Sequence, residues 1–187
     1  MNTLVLIPGS RELRYSFFAN QRCLYSGIEH SYGGHTAQDV AFALRLIKVT
    51  LSGKVQTRSP HAIVMRMVHG ANEFAGPVRL DLAVRARLER LVPFLPTRVP
   101  VELHLLDSLA DVYPSVPIIL FFETSFFLGL RPSEFLYGIP ADLSNESLLR
   151  RYGLQGLFHE RTSQVVAQEL AARGKARHAR IISICLE

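Results

Sequence analysis

Arg66, His69 and Gly70 close a β-type run, AIVMRM at residues 62–67, and their types and spacing point most directly to chemistry. An arginine inside a strand is seldom buried without a carboxylate or phosphate beside it. Arg66 therefore either pairs with an acid of the protein, such as Glu123, or holds an anionic ligand. His69 is either a ligand-facing imidazole or a satisfied structural one, and Gly70 lets the backbone turn or a ligand come close. Glu123 follows the most apolar run of the chain, residues 117–122, and is the candidate metal anchor or proton acceptor. Its plainer reading is an exposed charge at a strand end. Pro8-Gly9-Ser10 joins two strands; such a turn can offer N–H groups and a hydroxyl to an anion, or simply be a hairpin turn. The histidines at His30, His35, His61, His104, His159 and His178 lack the paired spacing of a zinc site.

These residues need a scaffold, and 187 residues, 48% of them hydrophobic, are enough to bury one. Mean hydropathy of +0.16 places the chain among globular proteins. The formal net charge of +5 is spread along the chain apart from Arg173, Lys175, Arg177 and Arg180. That tail reads as solvated basic surface, with an anion or nucleic-acid contact as the alternative; the expectation is no nucleic-acid partner. Cys23 and Cys185 form no disulfide framework, the apolar run 116–122 is too short to span a bilayer, and residues 1–8 show no export signal. The expected location is the cytoplasm, without membrane contact.

The elements follow from periodicity. Strands are predicted over 3–7, 13–18 and 22–28, joined by turn residues as in an antiparallel meander. Val40, Ala41, Leu44 and Ile47 predict a helix over 36–48 with Thr36 as N-cap, followed by a loop over 50–60. Strand 62–67 comes next, then helices over 82–91 and 101–112, with Pro93, Pro96 and Pro100 as breakers. Run 117–122 predicts a strand buried on both faces, 144–152 and 162–173 predict helices, and 180–185 predicts a last strand. Three strands, then helix, strand, helix, strand, is the order of an α/β domain of the actin-like ATPase and sugar-kinase (ribonuclease H-like) type, a mixed sheet flanked by helices.

Four ordered blocks make the reading more specific. Residues 4–7 with Gly9-Ser10 and Leu13-Arg14 resemble the opening strand and phosphate-side loop of the acetokinase family. Arg66-Met67-Val68-His69-Gly70, continuing to Phe74, Pro77-Val78 and Asp81, resembles its Arg-Val-Val-His-Gly-Gly block. Phe122-Glu123-Thr124-Ser125-Phe126 resembles Phe-Asp-Thr-Ala-Phe-His. Leu136-Tyr137, Ile139-Pro140 and Arg150-Arg151-Tyr152-Gly153 with Gly156 and His159 resemble the family's fourth block.

The resemblance covers the first half of such a kinase. It implies transfer of the γ-phosphoryl of ATP, with Mg²⁺, to a short-chain carboxylate such as acetate or propionate. It places Arg66 on the carboxylate or phosphoryl group, His69 and Gly70 beside the substrate, Gly9, Ser10 and Arg14 on the nucleotide side, and Glu123 near the metal. Gln155 falls where the family has a phosphate-stabilising histidine. Several positions depart from the pattern. Pro8 lies in a shortened loop without the family's asparagine, Arg11 and Glu12 replace loop serines, Arg14 replaces a lysine, Glu123 an aspartate and Phe127 a histidine. The expected division is an actin-like acetokinase domain over 1–125 and a connecting segment with the start of a second domain over 126–187. Two readings follow: a carboxylate kinase present as its N-terminal portion with a degenerate site, working as a homodimer or with a complementing second half, or a non-catalytic module of the same fold binding a small anion or a protein partner.

Overall fold

A computed structural model of the chain describes residues 1–34, 36–55, 59–140, 142, 149–175 and 180–185. His35, Arg177 and His178 lie outside the described residues, as does most of the helix expected over 144–152; its described remainder, 149–152, is not helical. The chain divides into two compact units, Met1–His69 with Gly76–Phe121, and Gly70–Ala75 with Phe122–Glu187.

The first unit begins with the expected meander: β1 (Asn2–Pro8), β2 (Leu13–Ala19) and β3 (Arg22–Glu29), all antiparallel. Asn20 and Gln21 connect β2 to β3 with φ of 46° and 70°, the left-handed pair that matches the twist of a two-residue hairpin. Next comes α1 (Ala37–Lys54), started by a capping box: Thr36 Oγ1 accepts the Asp39 N–H at 3.1 Å, and Asp39 Oδ2 accepts the Thr36 N–H at 3.2 Å. Its buried stripe, Val40, Ala43, Leu44, Ile47 and Leu51, carries the helix past residue 48, so the loop expected from residue 50 starts later. Leu51 continues the four-residue step from Ile47, and burying it outweighs the polar neighbours. Thr36→Ala should remove one cap bond and lower stability by about 1 kcal/mol, read as a shifted urea midpoint with an unchanged slope.

β4 (Ala62–Met67) lies parallel to β1, with Leu4 opposite Ile63 and Leu6 opposite Met65. After β4 come β5 (Val78–Arg79), α2 (Leu82–Glu89), α3 (Val99–Val112) and β6 (Ile118–Phe122). The sheet order is β3-β2-β1-β4-β6-β5, and β5 pairs antiparallel with β6. The sequence held no signal for β5, which is two residues long. The third helix starts two residues before the expected position 101, so that Pro100, expected to precede it, lies in its first turn, where the missing N–H costs nothing. One sheet face buries Leu4, Leu6, Tyr15, Phe17, Ile63 and Met65, on the helical side where α1 packs against α3. Strand β6 alternates buried and half-buried residues, where burial on both faces was expected. The fold is α/β, a mixed six-stranded sheet flanked by helices.

In the second unit Phe74 stacks on Phe122 with ring centroids 4.4 Å apart, and the Gly70 N–H donates to Thr124 Oγ1 at 3.0 Å. A single-turn helix, α4 (Pro132–Phe135), precedes α5 (Gly156–Ala172). α5 starts six residues before the position expected from periodicity, for a reason found at Glu123. Residues 180–185 form no strand, and Ile182 and Ile184 are exposed. Alternating apolar residues give propensity, but a strand needs a neighbour to complete its ladder, and none pairs with this segment among the described residues.

Candidate functional site

Arg66 sits near the end of β4 on the face opposite Ile63, Met65 and Met67, and it is half-buried, not enclosed in the core. Its Nη2 donates to the carbonyl oxygen of Pro8, the last residue of β1, at 2.7 Å. A second guanidinium reaches the same oxygen: Arg98 Nη2, from the residue preceding α3, at 3.3 Å. Sequence reading passed over Arg98, which lies in a stretch of prolines taken as a breaker; its spacing of four from Glu102, ahead of an apolar helix, was the available signal.

Glu102 is the third member of this cluster. Only 1% exposed, it accepts the Val68 N–H on Oε1 at 3.2 Å, while Oε2 accepts no hydrogen bond among the described residues. Burial pushes its carboxyl up to about 7, against the opposing pull of the Val68 N–H and the charges of Arg98 and Arg66. Tyr32, also buried, has its phenol raised by burial and by the neighbouring Glu102.

His69 is buried and stacks on Phe94 with centroids 5.6 Å apart; desolvation lowers its pKa and favours the neutral ring. In the opening turn, the Gly9 N–H donates to the Glu12 carbonyl at 2.8 Å, which closes the turn and occupies that donor. Ser10 is exposed, and Arg14 pairs at the surface with Glu12 at 2.7 Å. The first unit thus brings Arg66 to Pro8 but leaves Arg14 engaged elsewhere.

In the second unit, Glu123 is 5% exposed, so the expectation of an exposed strand-end charge does not hold. Its Oε2 accepts the Leu157 N–H at 3.2 Å, placing a carboxylate on the first turn of α5, where unpaired N–H groups and the helix dipole favour negative charge. This contact supplies the helix start that periodicity could not see. Gln155 occupies the N-cap position with φ 57° and ψ 27°, and its side chain makes no cap bond. Gly156 follows because a Cβ there would lie 1.9 Å from the Glu123 carbonyl oxygen. Gly70 is likewise required by a close approach, with Phe122 2.8 Å from where its Cβ would stand; the close neighbour is a protein ring, where a ligand was one expectation. The second unit therefore brings Glu123 and Gln155 together at one helix start. No group of three or more His, Cys, Asp or Glu gathers among the described residues.

A sequence profile described as the Acetokinase family matches residues 17–186. The acetate kinase of Syntrophobacter fumaroxidans is 34% identical over 105 residues, which is 56% of this chain and 26% of that protein. The acetate kinase of Arthrobacter sp. (strain FB24) is 28% identical over 179 residues, 89% of this chain and 46% of that protein. Among solved structures, Porphyromonas gingivalis acetate kinase matches with a TM-score of 0.77 at 21% identity, over 91% of this chain and 49% of that one. A propionate kinase from Francisella tularensis matches with a TM-score of 0.79 at 20% identity, over the same shares of 91% and 49%. The chain spans about half the length of these structural relatives or less of its curated ones.

Proposed function

Because the chain belongs to the acetokinase family and has its actin-like ATPase fold, we propose that it is the acyl-acceptor part of an ATP-dependent carboxylate kinase, acting on a short-chain acid such as acetate or propionate. The observation that carries this reading is the half-buried Arg66 at the end of β4, aimed at the end of β1. The ends of central strands are where α/β folds hold ligands.

In the reaction, a carboxylate oxygen of the substrate forms a bond to the γ-phosphorus of ATP, and the bond from that phosphorus to ADP breaks. No proton needs to move, so the protein's task is positioning and charge neutralisation. Arg66 holds the carboxylate or the transferring phosphoryl group in a planar fork. His69 and Gly70 adjoin the substrate; neutral His69 adds no second charge. Glu123 would be the residue to offer a carboxylate to Mg²⁺, which would supply neutralisation of the phosphate charge. Gln155 contributes an amide to the phosphoryl group, and Gly9, Ser10 and Arg14 belong to the nucleotide side. Residues 1–125 form the acetokinase domain in this reading, with 126–187 leading into a second; its partner is a homodimer mate or a complementing second half, in the cytoplasm.

The assay is acyl phosphate formation from acetate or propionate with MgATP, trapped with hydroxylamine. Arg66→Ala should lower turnover by at least about 100-fold, the scale for loss of a group that stabilises transition-state charge. Retained turnover in that variant would sink the assignment. Glu123 at the α5 N-terminus favours a second reading, a non-catalytic module, because its carboxylate already serves the helix. Anion-dependent thermal shifts without any acyl phosphate would select it.

A further inference from the structure

We propose that Glu102 is the positioning residue of the Arg66 site: from the first turn of α3 its buried carboxyl group holds the exit of β4 by the Val68 N–H and lies within electrostatic reach of Arg66. This rests on the reading of Arg66 as an anion holder and concerns how that arginine is held and how its charge is shared.

The ends of β1 and β4 and the start of α3 converge here. The Val68 N–H, two residues past Arg66, donates to Glu102 Oε1 at 3.2 Å across 34 positions of sequence. The Glu102 N–H donates in turn to the Arg98 carbonyl at 3.1 Å, which sets Arg98 one helical turn earlier. Arg66 and Arg98 both reach the Pro8 carbonyl. Glu102 therefore ties α3 to the strand that carries Arg66, and the charges of both arginines act on its carboxyl. Tyr32, buried in the turn after β3, feels the same three groups.

Holding one backbone N–H does not require an acid. Glu102 is 1% exposed, and its second oxygen, Oε2, accepts no hydrogen bond among the described residues. An amide would keep the Val68 contact without the cost of an ionisable group in a dry place. What the carboxyl adds is a charge that is present or absent, and burial brings the change to about 7. Ionised Glu102 competes with a bound anion for the charge of Arg66, whereas neutral Glu102 leaves that charge to the anion. Anion binding and ionisation of Glu102 therefore oppose each other.

The test is NMR of the 187-residue chain over about pH 5.5 to 8.5, following the Val68 amide and the Arg66 Cζ carbon, the latter assigned by its loss in Arg66→Lys. In the wild type both resonances should shift with a common midpoint near 7. In Glu102→Gln that shift should vanish, although glutamine keeps an acceptor for the Val68 N–H. Acetate, an anion throughout this range, gives the second readout. Wild-type affinity should fall at least about 5-fold from pH 6 to pH 8, the lower end for coupling between two sites, while Glu102→Gln keeps its pH 6 affinity. His69 beside Val68 titrates below its ordinary 6.5 and is retained in the variant, so the difference between the two proteins isolates Glu102. A Val68 shift without an Arg66 shift makes Glu102 a structural tie alone and overturns its positioning role, as do resonances that both stay still or affinities with parallel pH dependence. Each of these leaves the reading of Arg66 standing. If the wild type binds no acetate while both resonances titrate together, the anion-holder reading of Arg66 fails and the coupling to Glu102 stands.

Discussion

Replacing Glu102 by glutamine should stabilise the protein at pH 8 and flatten its pH dependence between about 4.5 and 7. The carboxyl starts from an ordinary value of 4.5 and is pushed up to about 7 by burial. A raised acid binds its proton more tightly in the native state than in the unfolded chain. Its contribution is therefore most favourable below pH 4.5 and is lost as pH rises to about 7. The interval corresponds to roughly 3 kcal/mol at most. Glutamine keeps an oxygen for the Val68 N–H and removes the cost of ionising in a dry site. Urea denaturation of both proteins at pH 5 and pH 8 checks this. The quantity to compare is the difference between them, because His69, with its lowered pKa, works in the opposite direction, losing stability as pH falls. Parallel pH profiles for the two proteins would show that Glu102 does not ionise in this range.

The second large effect is expected at Gly156→Ala. The added methyl would stand 1.9 Å from the Glu123 carbonyl oxygen and 3.1 Å from Phe126 Cβ. The first is a backbone atom, which no side-chain rotation can move. Either α5 shifts away from residue 123 or the turn before it is rebuilt. Overpacking of this kind costs about 1–3 kcal/mol and sometimes more. The contact from Leu157 N–H to Glu123 Oε2 should go with it. A lowered melting temperature together with faster amide exchange at Leu157 is the expected signature. Unchanged exchange at that amide would mean that the helix start does not depend on the close approach.

Much of the first unit was legible. The meander, β4 and β6 are written in short apolar runs bounded by turn residues, and Thr36 stood as N-cap ahead of the helical spacing of Val40, Ala41, Leu44 and Ile47. Each signal lies within a few residues of the element it specifies. The blocks around Arg66 and Glu123 were enough to recognise the family, because their residue order survives without knowledge of contacts. Harder to read were the features set by a distant partner. β5 exists because β6 offers it a ladder, and 180–185 lacks a strand because no described neighbour does.

By itself, then, the sequence determined the family, the α/β class and the identity of Arg66 and Glu123 as charged residues at strand ends. Tertiary structure decided what those charges meet. It brought Arg98 to the Pro8 carbonyl from 90 positions away and set Glu102 against the Val68 N–H. It also turned Glu123 toward the first turn of α5. The physical reason is range. Periodicity, caps and turns act between neighbours in the chain, whereas hydrogen bonding and desolvation of a charge depend on whatever folding places around it.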